Sequence, residues 1–257
     1  MTRLWEQERR LQRQERLATV GQLAAGMAHD FNNILAVITL YSQMLLANPD
    51  APKREQYLAS IYTQSEYAAR LIAQILDFSR RAVIERTHFD LVHLAAETVE
   101  LLQRTLPENI MLILETQLRE VHVHADRGRI QQAMMNLVVN ARDEMPEGGR
   151  IWIRLDALEV EEGAPLPRKA GRANLSPGKW ARLRVEDTGP GIPPEHLSQI
   201  FNPFFTTKPP GQGTGLGLAQ VYGIVKQHGG DVQVDSPPGR GAIFTLYLPV
   251  TETVPET

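Results

Sequence analysis

Val185-Glu186-Asp187-Thr188-Gly189-Pro190-Gly191 and, further on, Gly213-Thr214-Gly215-Leu216-Gly217-Leu218 are two glycine loops with different neighbours. The first ends an alternating run from Trp180 to Glu186, so it is a strand that stops at a carboxylate and turns. The second opens a helical pattern from Gly215 to Gln227. Free backbone N–H groups and the positive end of a helix dipole there would suit a phosphate. Leu218 stands where the dinucleotide fingerprint needs a third glycine, and no Gly-x-x-x-x-Gly-Lys-Ser/Thr string occurs anywhere. Rossmann and P-loop architectures are therefore excluded. An ionised Asp187 can accept a hydrogen bond from the exocyclic amine of adenine, a donor that guanine lacks at that position. Gly189 and Gly191 would let the backbone turn closely against a base.

Upstream of both loops, Met134-Met135-Asn136-Leu137-Val138-Val139-Asn140-Ala141-Arg142-Asp143 sits in a helical pattern from Arg127 to Glu144. Its period places Asn136, Asn140 and Asp143 on one face. Amide oxygens suit Mg²⁺, which prefers oxygen ligands and keeps several waters, so Asn140 and Asn136 are the candidate metal residues. The plainer alternative is a polar helix surface. Phe201-Asn202-Pro203-Phe204-Phe205-Thr206-Thr207-Lys208 lies between the glycine loops. Its aromatics suit core packing, and Lys208 could reach a terminal phosphate as a point charge.

The surrounding pattern mixes helices and strands. A helix is expected over Leu91–Arg104. Strands are expected over Ile110–Glu115, Val121–Ala125, Arg150–Leu158 and Trp180–Glu186. A polar loop from Glu161 to Gly178 separates the last two, and Asp231–Asp235 with Ala242–Leu248 forms a closing hairpin. Together these predict an α/β sandwich, helices on one face of a mostly antiparallel sheet. His122 and His124 share a strand face and suit a surface better than a metal site. The tail beyond Pro249 should fray.

The first third differs in texture. A helix is expected from Leu4 to Leu46, broken by Asn48-Pro49-Asp50-Ala51-Pro52. Leu4, Leu11, Ala18 and Ala25 recur every seven residues, which favours a coiled coil over a merely solvated helix. A second helix carries Leu58, Ile61, Ser65, Ala68, Ile72, Ile75 and Ser79 on one face. Such an antiparallel helical hairpin cannot bury both stripes alone, so two copies should make a dimeric four-helix bundle. Within the first helix, His29 has Gln22, Ala25, Gly26, Asn32, Asn33 and Ala36 as its helical neighbours, all small or polar. It should project across a low ridge. A neutral imidazole is a nucleophile at cytosolic pH, and Asp30 is the candidate to orient it. A histidine on solvent without a role is the competing reading of the residue by itself.

Charged residues are 22% and hydrophobic residues 42%, a globular rather than a disordered composition. The net charge of -3 has no basic excess, so nucleic acid is not an expected partner. Cysteine is absent, which excludes disulfides and thiolate metal sites and suits the cytoplasm. No apolar run spans a bilayer, and the polar start is no signal peptide, so any sensor or membrane part would lie outside this chain.

His29-Asp30-Phe31-Asn32-Asn33, the asparagine helix and the two glycine loops, in this order, resemble the two-component sensor histidine kinases over most of the chain. The first string is similar to the H-box of the His-Asp-Phe-Asn-Asn subgroup. The others resemble the N-box, the G1 and G2 boxes and, at Phe201–Phe205, the F-box of a Bergerat-type ATP-binding domain. The resemblance implies an α+β chain with four parts. Residues 1–17 would be a coiled-coil signalling helix and 18–84 a dimerisation and phosphotransfer domain. Residues 85–251 would be the catalytic domain and 252–257 a disordered tail. It implies ATP and Mg²⁺ as cofactors, autophosphorylation of His29, and transfer to an aspartate on a response regulator receiver domain by a homodimer. Asn136, Asn140, Asp143, Asp187, Gly189, Gly191, Lys208, Gly213, Thr214, Gly215, Leu216 and Gly217 would form the nucleotide site. Asn33, four after the histidine, would position a water that dephosphorylates the partner. Hydrolytic ATPases of the superfamily carry glutamate where Asn136 stands, which points to transfer rather than hydrolysis. Asn202 stands where many relatives have glutamate and Ala242 where many have threonine. A nucleotide-binding scaffold without chemistry, and a gyrase- or chaperone-type ATPase, are the two competing functions.

Overall fold

The computed structural model describes residues 32–49, 51–79, 85–161, 175–209, 213–237 and 239–251. The chain divides into two units, Met1–Arg80 and Arg81–Thr257. His29, Asp30, the heptad seam, most of the 161–178 loop and the tail from 252 lie outside the described residues.

In the first unit, residues 32–47 are helical (α1) and Arg54–Ser79 forms α2. The break follows from Pro49, which has no N–H to continue the ladder. Asn48 N–H still reaches the Met44 carbonyl at 3.0 Å, and Arg54 N–H closes onto the Ala51 carbonyl at 2.9 Å. Tyr41 and Tyr57 stack with ring centroids 5.0 Å apart, which joins the legs of the hairpin. Ile34 is buried, whereas Leu35, Leu40, Met44, Leu46, Leu58 and Tyr62 are exposed.

The second unit begins with β1 (Thr87–Asp90), α3 (Leu91–Gln103), β2 (Ile110–Thr116), β3 (His122–Ala125) and α4 (Arg127–Asp143). It continues with β4 (Gly149–Val160), β5 (Gly178–Asp187), α5 (Gly217–Gln227), β6 (Asp231–Asp235) and β7 (Ile243–Pro249). Asp90 and Asp126 cap α3 and α4, their carboxylates accepting first-turn N–H groups that have no helical partner. The main sheet has the order β2-β4-β5-β7-β6, and only β2–β4 is parallel. Alternation decides its two faces. Ile151, Ile153, Leu155, Leu183, Leu246 and Leu248 are buried in one core with Leu94, Met134, Leu137, Val221 and Val225 of the helices. Each such side chain contributes about 1.5–3 kcal/mol. On the other face, Asp156 holds Arg182 at 2.7 Å and Arg184 at 2.8 Å, and Arg154 pairs with Glu115 and Glu186.

Two local departures from the sequence reading have physical causes. β1 is a strand because it pairs with β3 in a separate two-stranded sheet, with His88 opposite His124 and their rings 4.5 Å apart. Four residues carry too little alternation to announce a strand without that partner. Helix α5 starts at Gly217 rather than Gly215, because Gly215 has φ +63° and cannot belong to a right-handed helix.

Candidate nucleotide site

Asp187 is the last residue of β5, and it is buried. Its Oδ1 accepts from Gly189 N–H at 2.8 Å and from Ala242 N–H at 3.2 Å. Those two donors fix the carboxylate and leave Oδ2 for a ligand donor. Burial pushes the carboxyl up from its ordinary value, and Glu144 and Glu186 add to that, while the two backbone donors oppose it. The wall beside it is built by close backbone approach. Gly241 has φ +77°, and a Cβ there would stand 1.9 Å from the Asp187 carbonyl oxygen. Ser236 Oγ donates to the Gly241 carbonyl at 2.9 Å and accepts from Ile192 N–H at 2.6 Å. The β6–β7 turn is thereby tied to the Gly189–Gly191 loop.

The asparagine helix faces the start of α5. Asn136 Nδ2 donates to Gln220 Oε1 at 3.0 Å and lies 3.5 Å from the Gly217 carbonyl. Asn140 abuts Gly217, where an added Cβ would lie 3.4 Å from its Nδ2. One turn on, Asp143 Oδ2 receives Lys208 Nζ at 2.8 Å and its Oδ1 receives Arg142. Burial alone would raise the Asp143 carboxyl, but Lys208 and Arg142 outweigh it and hold the group below its ordinary value. Lys208 therefore rests on the asparagine helix, against the Asp143 carboxylate.

The segment between the glycine loops is fastened at Phe204. Its N–H donates to the Gly215 carbonyl at 2.9 Å, and a Cβ on Gly215 would come within 2.3 Å of the Phe204 carbonyl carbon. Gly215 is required by that contact as well as by its positive φ. Phe201 packs on Tyr222 and Phe244, and Phe205 on His196. Leu216 is buried, so only its backbone can serve a ligand. Thr214 and Gly213 stand in the same loop, Gly213 tight against Thr206 and Lys208.

Asn136, Asn140 and Gly217 thus come together, as do Asp187, Gly189 and Gly191. Gln220, Ser236 and Gly241 were missed. Gly239-Arg240-Gly241 before a strand was the available signal for the turn.

Residues 125–252 match the histidine kinase-, DNA gyrase B-, and HSP90-like ATPase family, and residues 19–82 match the His Kinase A phospho-acceptor domain. The chain belongs to the two-component sensor histidine kinases. It is 40% identical to the sensor kinase CckA of Brucella abortus over 94% of this chain and 25% of that protein. It is 34% identical to the signal transduction histidine-protein kinase AtoS of Escherichia coli over 95% of this chain and 37% of that one. The chain therefore spans well under two thirds of these curated relatives. Among solved structures, histidine kinase ThkA in complex with the response regulator protein TrrA matches with a TM-score of 0.74 and 28% identity, covering 98% of this chain and 68% of that one. Both domains of this histidine kinase core have the fold expected for them, helical first and α+β second. Among the described residues, no helix is long and apolar enough to cross a membrane.

Proposed function

We propose that this chain is the catalytic core of a protein-histidine kinase that phosphorylates itself on His29. One imidazole nitrogen of His29 attacks the γ-phosphorus of ATP, an N–P bond forms as the bond to the bridging oxygen breaks, and ADP leaves. An aspartate oxygen of a response regulator receiver domain then takes the phosphoryl group, and the imidazole returns free. Asp30 accepts the proton on the other ring nitrogen and orients the ring. The core would act as a homodimer in the cytoplasm, with residues 18–84 as the phosphotransfer domain and 85–251 as the nucleotide domain.

The observation that carries this reading is the chemistry at Asn136. Beside the start of α5 stands an amide that donates to Gln220. An amide cannot take a proton from water, so the pocket has no general base there and suits transfer to a nucleophile supplied elsewhere. In the pocket, Asp187 Oδ2 would accept from the adenine amine, Gly189 and Gly191 would line the base, and the loop from Gly213 to Gly217 would meet the phosphates. The amide oxygens of Asn140 and Asn136 fit Mg²⁺, an ion that keeps waters and shares its shell with substrate phosphates. When bound, it would neutralise phosphate charge. Lys208 would leave Asp143 for the terminal phosphate. Asn33 would hold a water for hydrolysis of the receiver's phosphoaspartate, a phosphatase activity toward the same partner.

Incubation with γ-labelled ATP tests the reading. Acid-labile, base-stable label on the chain, passed on to one of a panel of receiver domains, is the expected result. Nucleotide binding without label would leave a scaffold, and free phosphate without protein label would leave a hydrolytic ATPase.

A further inference from the structure

We propose that His228 is a positioning residue for nucleotide binding, a clamp that holds the two helices of the pocket in register. It rests on the reading of this unit as an ATP site.

His228 closes α5 and is 4% exposed. Its Nδ1 lies 2.7 Å from the Ile224 carbonyl, and its Nε2 accepts from Asp126 N–H at 3.0 Å. The Asp126 donor dictates the tautomer: Nδ1 carries the proton and donates to Ile224. Asp126 is also the N-cap of α4, its carboxylate accepting from Arg129 N–H at 3.1 Å. The imidazole therefore joins the last turn of α5 to the first turn of α4.

The opposite ends of the same helices form the pocket. Gly217, the first residue of α5, lies against Asn140 and Asn136 near the end of α4. The two helices run antiparallel and are fastened at both ends, by Asn136–Gln220 at one and by His228 at the other. No slack follows the clamp. Gly229 takes φ +73°, and a Cβ on Gly230 would stand 2.2 Å from the Tyr247 carbonyl oxygen. Without the imidazole, Asp126 N–H loses its partner inside the fold, while the Ile224 carbonyl keeps the His228 backbone N–H at 3.3 Å. α5 then keeps only the Asn136–Gln220 fastening to α4, which loosens the spacing between Asn140 and the phosphate loop. His228 touches no ligand and acts through these helices.

The clamp works only with a neutral ring, because a proton on Nε2 would face the Asp126 N–H donor to donor. Burial pushes His228 below the ordinary imidazole value. The Ile224 carbonyl and Asp126 oppose this, and Arg86 and Arg129, the cations that face it, add to the depression. Acidification below that depressed value should open the clamp.

The test is Mg-ATP binding to the full chain by calorimetry, with circular dichroism to confirm folding. His228→Gln keeps an acceptor at the reach of Nε2. His228→Asn keeps the local partner but is too short for Asp126. The expected result at pH 7.5 is roughly tenfold weaker ATP binding for His228→Asn and within about threefold of wild type for His228→Gln. Wild-type affinity should also fall on acidification more steeply than that of His228→Gln. Protonation of ATP and of Asp187 affects both proteins alike and cancels. Wild-type affinity in a folded His228→Asn chain overturns the proposal. If that variant does not fold, the pH comparison decides, and superimposable profiles for wild type and His228→Gln overturn it. Failure of the wild type itself to bind ATP would instead sink the reading of the site.

Discussion

The helical unit and the α+β unit treat their apolar residues in opposite ways. Leu91, Leu94, Ile130, Met134, Ile151, Ile153, Leu183 and Leu246 of the second unit are sealed from water. Of the exposed large apolar residues there, Leu101, Met111 and Tyr222 are scattered singly. In the described part of the hairpin, Leu35, Leu40, Met44, Leu46, Leu58 and Tyr62 all face out. A mixed sheet with helices on one face completes its own core. Two helices in a hairpin supply no third element, so burying these residues would take a surface from outside the hairpin. One unit closes its own core, and the described part of the other leaves large apolar residues on its surface.

If the units differ in this way, their losses should be separable. The largest expected effect is at His29. His29→Ala should abolish label from γ-labelled ATP and leave calorimetric ATP binding unchanged, and residual label above roughly a tenth of wild type would remove His29 as sole acceptor. Within the same unit, Asp30→Ala should cripple labelling, while Asn33→Ala should keep much of it and slow loss of phosphate from a phosphorylated receiver. Equal damage to both rates by both variants would end that division of labour.

The reciprocal test is Asp187→Asn, which should weaken ATP binding at least about tenfold, because a buried hydrogen-bonded carboxylate is lost. Its effect on stability should have the other sign. The folded-state carboxyl is raised, so the unfolded chain binds fewer protons in the window between the ordinary and raised values, and stability falls as pH rises through it. At neutral pH, therefore, Asp187→Asn should melt no lower than wild type in a thermal scan. A clear drop in Tm would mean that the carboxylate serves the fold rather than the ligand.

Leu40 and Met44 lie one turn apart and are exposed. Leu40→Glu with Met44→Glu should shift the chain from dimer to monomer in sedimentation analysis and spare ATP binding. A persisting dimer would assign the interface to another face of the hairpin. The smallest effect should be at Lys208, which is partly exposed and paired with Asp143. Lys208→Ala should change folding stability by no more than about 1 kcal/mol and weaken ATP a few-fold relative to ADP. Equal effects on ATP and ADP would keep Lys208 away from the terminal phosphate.

The sequence by itself determined whatever depends on near neighbours. Pro49 ends α1 because a missing N–H is a local fact. Asn136, Asn140 and Asp143 share a face because the helical period alone puts them there. The alternation of β4 and β5 is legible for the same reason, and in the structure it separates the core face from the charged face. Tertiary structure alone decided which groups meet. Asn136 finds Gln220, Asp187 finds Ala242, Lys208 settles on Asp143, and His228 reaches Asp126. β1 exists only because β3 pairs with it. Each of these contacts joins residues far apart in the chain, and it is set by sheet register and by the packing of α4 on α5. Local propensity describes one segment at a time and carries no information on the partner that the rest of the fold will bring to it.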